Sequence, residues 1–266
     1  MILKSKYNFL IPYRVRKLVR YGRKFDGGYL ICEDASNSIE NLITLGVGDD
    51  ISFELHLEKK KKLKNIFLYD YTVSHYLFIK KILKYLRRFL TFRSSIKALN
   101  DAITNYLNFI FFKKKKNVFF EKKKITKNKK NIIDLTLREI FYNITGQNNI
   151  LKVDIEGDEY SIVDDILNLN KKINTLIIEF HWINKNTKKF IKKIKRLKKK
   201  FDIIHIHPNN YRPPLEHEDF FDVVEITFVN KSINKHQSAY RYRFPIKNLD
   251  FECFPHNKKI KFSFSK

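Results

Sequence analysis

Seven short, almost uninterrupted apolar runs recur along this chain of 266 residues, and they limit its fold more than any other feature. They span Leu42–Val47, Ile66–Tyr69, Val118–Phe120, Ile150–Ile155, Thr175–Phe180, Ile203–Ile206 and Val223–Val229. Runs this short and this apolar suit strands covered on both faces, the condition of a parallel sheet. Helical patterns separate several of them. Ile132–Tyr142 is one, with Asp134 near its start, and Ser161–Leu169 is another. Asn184–Lys200 is a third, where Phe190, Ile191, Ile194 and Leu197 recur at helical spacing. Strand and helix in alternation predict an α/β, doubly wound, mostly parallel sheet with ligands at the carboxyl ends of its strands.

Residues 1–38 read as an N-terminal extension ending in a turn and a strand. Asp26-Gly27-Gly28 precedes the apolar Tyr29-Leu30-Ile31-Cys32, and glycine supplies the positive φ such turns need. Residues 39–230 form the main domain, and 231–266 are expected to wrap its edge. The stretch 72–117 is a long insertion between the second and third runs. In it Tyr76, Ile79, Leu83, Leu86 and Leu90 line one helical face, while Lys80, Lys84, Arg87 and Arg88 lie mainly on another. The plainer reading is a cover helix half-buried on the sheet. The sharper reading is a basic helix lying on an anionic membrane, or a lid over the site. Lys113–Lys116 and Lys122–Lys124 read as solvated loops.

Composition narrows the classes. Two cysteines, Cys32 and Cys253, make no disulfide framework and fit a reducing compartment. No uncharged apolar stretch of about 18 residues is present to span a membrane. The start, MILKSKYNFLIPY, has too short an apolar run for a secretory signal, and Pro12 interrupts it. The expected location is cytoplasmic, with a membrane-peripheral position as its variant. Basic residues number 54 and acidic ones 28, a net charge of +26. Such an excess ordinarily suggests a polyanionic partner. Here lysine supplies 42 of the 54, arginine only 12, and alanine occurs four times. That pattern looks like drift in an AT-rich coding sequence, and arginine, the better phosphate fork, is not enriched. Nucleic acid is therefore not the expected partner.

Three motifs carry chemistry. Leu45-Gly46-Val47-Gly48-Asp49-Asp50 follows the first strand and precedes a helix starting near Ile51. A dinucleotide fingerprint wants a third glycine where Ile51 stands, and Asp49 and Asp50 would repel a pyrophosphate. The turn therefore suits an adenosyl ligand without phosphate, such as S-adenosylmethionine with its positive sulfonium. Asp70 closes the second strand, 22 residues after Gly48, where an acid commonly accepts hydrogen bonds from ribose. Ile150-Leu151-Lys152-Val153-Asp154-Ile155-Glu156-Gly157-Asp158-Glu159 is an apolar strand ending in clustered carboxylates and a glycine turn. Such a cluster facing a crevice is costly unless it binds a cation, meets ligand hydroxyls or acts as a base. A helix N-terminus explains Asp158 and Glu159 well, and Asp154 poorly.

These motifs, with Asp26-Gly27-Gly28-Tyr29 and Ile178-Glu179-Phe180-His181, resemble those of the FkbM-type methyltransferases, over roughly residues 20 to 230. The resemblance implies a seven-stranded Rossmann-like methyltransferase sheet and S-adenosylmethionine as cofactor. It also implies an O-methyltransferase acting on a sugar, glycan or related small molecule with a free hydroxyl. It places Gly46, Gly48 and Asp70 on the cofactor, and Asp154 and Glu156 at the junction of cofactor and substrate. Asp49, in the same turn, joins the cofactor set. The insertion at 72–117 departs from the family.

Two further strand ends add polar groups. Glu179 and His181 face one way, as do His205 and His207. Alcohol methylation needs a base, for which His181, His207 and Glu156 are the candidates, with Glu179 orienting an imidazole. Glu179, Asn209 and Asn210 are the expected substrate contacts. The ligand types also admit a divalent cation at Asp154 with Glu179 or His181, although the reading does not require one. Competing readings are an RNA methyltransferase, a peripheral membrane-binding protein with a degenerate site, and a metal-dependent hydrolase built on His205 and His207.

Overall fold

The computed structural model describes residues 1–215, 220–233 and 243–265. Each of the seven apolar runs is a strand: β1 Asn41–Leu45, β2 Asn65–Tyr69, β3 Val118–Glu121, β4 Asn149–Val153, β5 Ile173–Phe180, β6 Phe201–Pro208 and β7 Val224–Asn230. They form one sheet in the order β3-β2-β1-β4-β5-β7-β6. Neighbours from β3 to β5 pair parallel, and β7 enters antiparallel between β5 and β6. This is an α/β, doubly wound, mostly parallel seven-stranded sheet, as the sequence predicts. β2 and β3 lie to one side of β1, and β4 and β5 to the other, so a crevice opens beyond the carboxyl ends of β1 and β4.

Every residue of β1, β4, β5, β6 and β7 is buried. Alternation along each strand divides their side chains between two apolar layers. Leu42, Ile66, Leu68 and Ile150 meet one layer, with Phe53 and Leu57 of α1 (Ser52–Lys60) and Phe109 and Phe112 of α3 (Ile96–Lys113). Ile43, Leu45, Leu151 and Val153 meet the other. That layer is built from α4 (Leu137–Asn143), α5 (Glu159–Asn168) and α6 (Ile183–Leu197).

The termini close on each other. Ile2–Leu3 pairs parallel with Ser263–Phe264, and Leu18–Tyr21 pairs antiparallel with Tyr29–Cys32. Positions 234–242 and 266 of the expected 231–266 wrap lie outside the described residues.

Three expectations change. The helix expected over 132–142 begins only after Thr136, whose hydroxyl and Glu139 form a reciprocal capping box. Asp134 instead accepts the backbone N–H groups of Lys130 and Asn131 at 2.8 and 2.9 Å, in the loop before it. Lys124 belongs to a short strand, Lys124–Ile125, paired with Asp134–Leu135, not to a solvated loop. The insertion is a helical hairpin, α2 (His75–Leu90) and α3, each capped by a serine, Ser74 and Ser95. It is α3 that lies in the apolar layer against the sheet. α2 packs on α3 and buries only Phe78, stacked on Tyr106 and Phe109. The cover-helix reading of α2 therefore does not hold, because α3 already occupies that place.

Candidate active site

Two backbones meet closely at the crevice. Gly46, at φ +80°, lies so near β4 that a Cβ would stand 1.6 Å from the Asp154 carbonyl oxygen. Only glycine fits there, and the approach brings the turn after β1 against the carboxylates after β4. Gly48, at φ +64°, faces open space.

Asp70 holds this turn from the end of β2. Its Oδ2 accepts the N–H groups of Val47 and Gly48, both at 2.9 Å. Its Oδ1 accepts the N–H and hydroxyl of Thr72 and the N–H of Val73. The carboxylate thus knits two loops together, a role the spacing alone did not reveal. A ribose hydroxyl there would share an oxygen already in use. Asp49 turns away from the crevice to pair with Lys81 of α2. Asp50 accepts the Ser52 N–H at the start of α1 and pairs with Arg23.

A cavity of about 290 Å³ opens over this turn, lined by Gly46, Asp70, Tyr71, Lys124, Asp154 and Glu156 among others. A second, of about 260 Å³, includes Asp26, Asp154, Glu156, Glu179, His181 and Trp182 in its wall. The two share Asp154 and Glu156. A larger cavity, of about 560 Å³, lies between residues 210–214 and 256–261, and none of the described residues lining it is acidic or belongs to the glycine turn.

His181 sits among four carboxylates. Its Nε2 is 3.7 Å from Asp154, 3.7 Å from Glu156 and 3.8 Å from Glu179, and its Nδ1 is 3.4 Å from Glu159. Burial works against its charge, yet the Glu159 contact and the charges of Glu179 and Asp154 outweigh burial. They push the imidazole up to about 10. At neutral pH it is an imidazolium with no free lone pair, which corrects the expectation that His181 takes a proton. Burial pushes Glu179 up to about 8, with Asp154 adding to it, and Asp154 up to about 6 against the pull of Lys152 and His181. Ligand atoms of Asp154, Glu156 and His181 lie within 4.8 Å of one another, so these residue types would fit a cation.

Several supports escaped the sequence reading. Glu159 is wholly buried and accepts the N–H groups of Gly157 and His181 at 2.7 and 2.6 Å, tying the turn after β4 to the end of β5. It had passed for an ordinary helix-start acid. Lys152 pairs with Glu54 at 3.4 Å under the crevice floor. Asp26, read only as a turn residue, lines the second cavity. Glu156 and Trp182 both hold left-handed backbones, at φ +51° and +56°, on either side of that cavity. Strain of this kind concentrates at functional sites. A Cβ at Gly157 would press on the Trp182 ring at 3.2 Å.

Of the expected substrate contacts, Asn209 reaches the cavity and donates to Glu179 at 2.9 Å. Asn210 does not. Its amide bonds the backbone of Phe254 in both directions and so anchors the C-terminal segment. His207 is also outside the cavity. It sits in register beside Glu225, with Nδ1 3.5 Å from Asp250 and Nε2 3.5 Å from the Cys253 thiol. His205 meets the same Asp250 at 2.9 Å. The His-x-His pair therefore faces the C-terminal segment, and His207 is no candidate base.

No family model and no curated protein matches the chain. Solved structures match it at low similarity. The precorrin-6y C5,15-methyltransferase from Geobacter metallireducens GS-15 is 11% identical over 73% of this chain and 82% of that one, with a TM-score of 0.36. TYW2 of M. jannaschii, in complex with AdoMet, is 12% identical over 73% and 70%, with a TM-score of 0.36. A dimethyladenosine transferase from Plasmodium falciparum is 10% identical over 74% and 57%, with a TM-score of 0.35.

Proposed function

We propose that this chain is an S-adenosylmethionine-dependent methyltransferase that methylates a hydroxyl of a sugar, glycan or related metabolite. One observation carries the reading: two cavities at the carboxyl ends of the strands meet at Asp154 and Glu156, and only one contains the glycine turn. The first cavity fits the cofactor. Gly46 leaves its floor open, Tyr71 offers a ring face, and Asp154 and Glu156 supply negative charge for a sulfonium. When bound there, the cofactor supplies an electrophilic methyl group.

The chain's own residues do the rest. In the second cavity Glu179 and Asn209 are placed to hydrogen-bond acceptor hydroxyls, and Tyr211 offers an apolar face for a sugar ring, while the Arg212 guanidinium lies over the Trp182 ring at 4.2 Å. Asp154, ionised above about pH 6, borders both cavities and is placed to take the hydroxyl proton. The oxygen forms its bond to the methyl carbon as the carbon–sulfur bond breaks, and S-adenosylhomocysteine leaves neutral. His181 holds the surrounding carboxylates in place.

Calorimetric titration with S-adenosylmethionine and S-adenosylhomocysteine tests the reading. We expect saturable binding by the wild type, weakened about tenfold or more (~1.4 kcal/mol) in Asp70→Ala. Asp154→Asn should keep most of the binding and lose transfer to hydroxylated acceptors. Absence of binding by folded wild type overturns the proposal.

A further inference from the structure

The α2–α3 hairpin carries an apolar surface that the fold does not use. α2 has two apolar stripes. Phe78, Ile82, Tyr85 and Phe89, one or two turns apart, form the first, and Phe78 in it stacks on Phe109 of α3. Tyr76, Ile79, Leu83, Leu86 and Leu90 form the other, and all five are exposed, Tyr76 at 71% and Leu90 at 66%. At 100° per residue Lys80, Lys84 and Arg87 fall on the arc beside this second stripe. Lys80, Lys84, Arg87 and Arg88 have no acidic partner among the described residues, and α2 contains no acidic residue at all. From His75 to Lys113 eight lysines and arginines face one acid, Asp101, for a net +7.

The hairpin tip points the same way. Phe92 is 98% exposed and holds a left-handed backbone at φ +54°. A bulky residue adopts that conformation at a cost, and in water the exposed ring returns nothing for it. Leu90 and Ile96 beside it are exposed as well.

We propose that this hairpin docks on an anionic membrane surface, with the Tyr76–Leu90 stripe and Phe92 entering the headgroup boundary and Lys80, Lys84 and Arg87 meeting the lipid phosphates. An interfacial helix needs an apolar stripe beside a cationic one, and α2 has both. No helix of the described residues is long and apolar enough to cross a membrane, so the helix lies on the surface. Charge decides against the other occupants. A second copy docked through α2 would set cation against cation with no acid on the helix to relieve it. RNA would leave Ile79, Leu83, Leu86 and Leu90 without a base to stack on, since the two exposed rings of this surface, Tyr76 and Phe92, stand at opposite ends of the helix.

Flotation of the full chain with vesicles tests this, and it needs no cofactor, so its outcome is separate from that of the methyltransferase reading. Association is expected with phosphatidylcholine–phosphatidylserine vesicles and not with phosphatidylcholine alone. Lys80→Glu/Lys84→Glu/Arg87→Glu should weaken it about tenfold or more, and Leu83→Ser/Leu86→Ser should weaken it at unchanged charge. Both variants should retain cofactor binding and circular dichroism. Phe92→Trp should shift its emission to the blue on vesicle addition. Folded wild type that stays with neither vesicle overturns the proposal. So does a dimer that falls apart in the Leu83→Ser/Leu86→Ser variant, or displacement from the vesicles by RNA with no blue shift.

Discussion

Leu68 and Leu83 are the same residue, each part of an apolar pattern in the sequence, and they end in opposite environments. Leu68, in β2, is fully buried, and Leu83, in α2, is more than half exposed. The contrast extends to their regions. Around the crevice, backbones approach so closely that Gly46 has no room for a Cβ, and carboxylates are held by several hydrogen bonds each. On the hairpin, α2 touches the rest of the molecule mainly through α3, with the Lys81–Asp49 pair as a link to the glycine turn. An apolar stripe says that a surface must be covered; it does not say whether the chain itself covers it.

If the crevice is tightly built and the hairpin is not, substitutions should separate them by size of effect. Gly46→Ala should be the worst. Its Cβ meets the Asp154 carbonyl and its φ is unfavourable, so we expect a loss of about 4 kcal/mol or more in chemical denaturation.

Asp250→Asn comes next, at about 3 kcal/mol. Burial opposes its charge, but His205 and His207 outweigh burial and hold the carboxyl well below the usual range. Its folded pKa is depressed, so its contribution is present above about pH 4 and lost as pH falls below that. The deficit of the variant should shrink in acid, and the C-terminal segment should become open to proteolysis.

Asp70→Asn should cost about 2 kcal/mol, since five hydrogen bonds weaken and the new amide has two donors to place.

Glu179→Gln should move the other way. The carboxyl titrates at about 8 when folded and near 4.3 when unfolded. Between these values the unfolded chain gives up a proton that the folded one keeps, so wild-type stability falls as pH rises. The advantage of the variant in Tm should therefore grow from about pH 4 to pH 8.

Leu83→Ser should be the smallest, within about 0.5 kcal/mol, as suits an exposed site. A large loss there would mean that the stripe is covered in solution and would erase the contrast.

Much of this was legible in the residues. All seven strands of the sheet were marked by their apolar runs, five of them because a strand buried on both faces can hold few polar side chains. The crevice was legible too, since a glycine turn and a carboxylate-rich strand end both lie where a doubly wound sheet changes direction. Periodicity located α2 as a helix within a residue or two. Roles were harder to read. His181 and His207 look equivalent, each an imidazole at the end of an apolar strand. One is surrounded by Asp154, Glu156, Glu159 and Glu179, the other is locked to Asp250 and Cys253, and those neighbours come from distant parts of the chain.

The sequence by itself determined the seven strands of the main sheet, most of the helices, and the glycine turn with its carboxylates, because periodicity and backbone freedom are local properties. Only the tertiary structure decided which imidazole faces the crevice, that Asp70 secures the turn, and that α3 rather than α2 covers the sheet. Protonation, hydrogen bonding and burial each depend on what the rest of the chain brings alongside a residue.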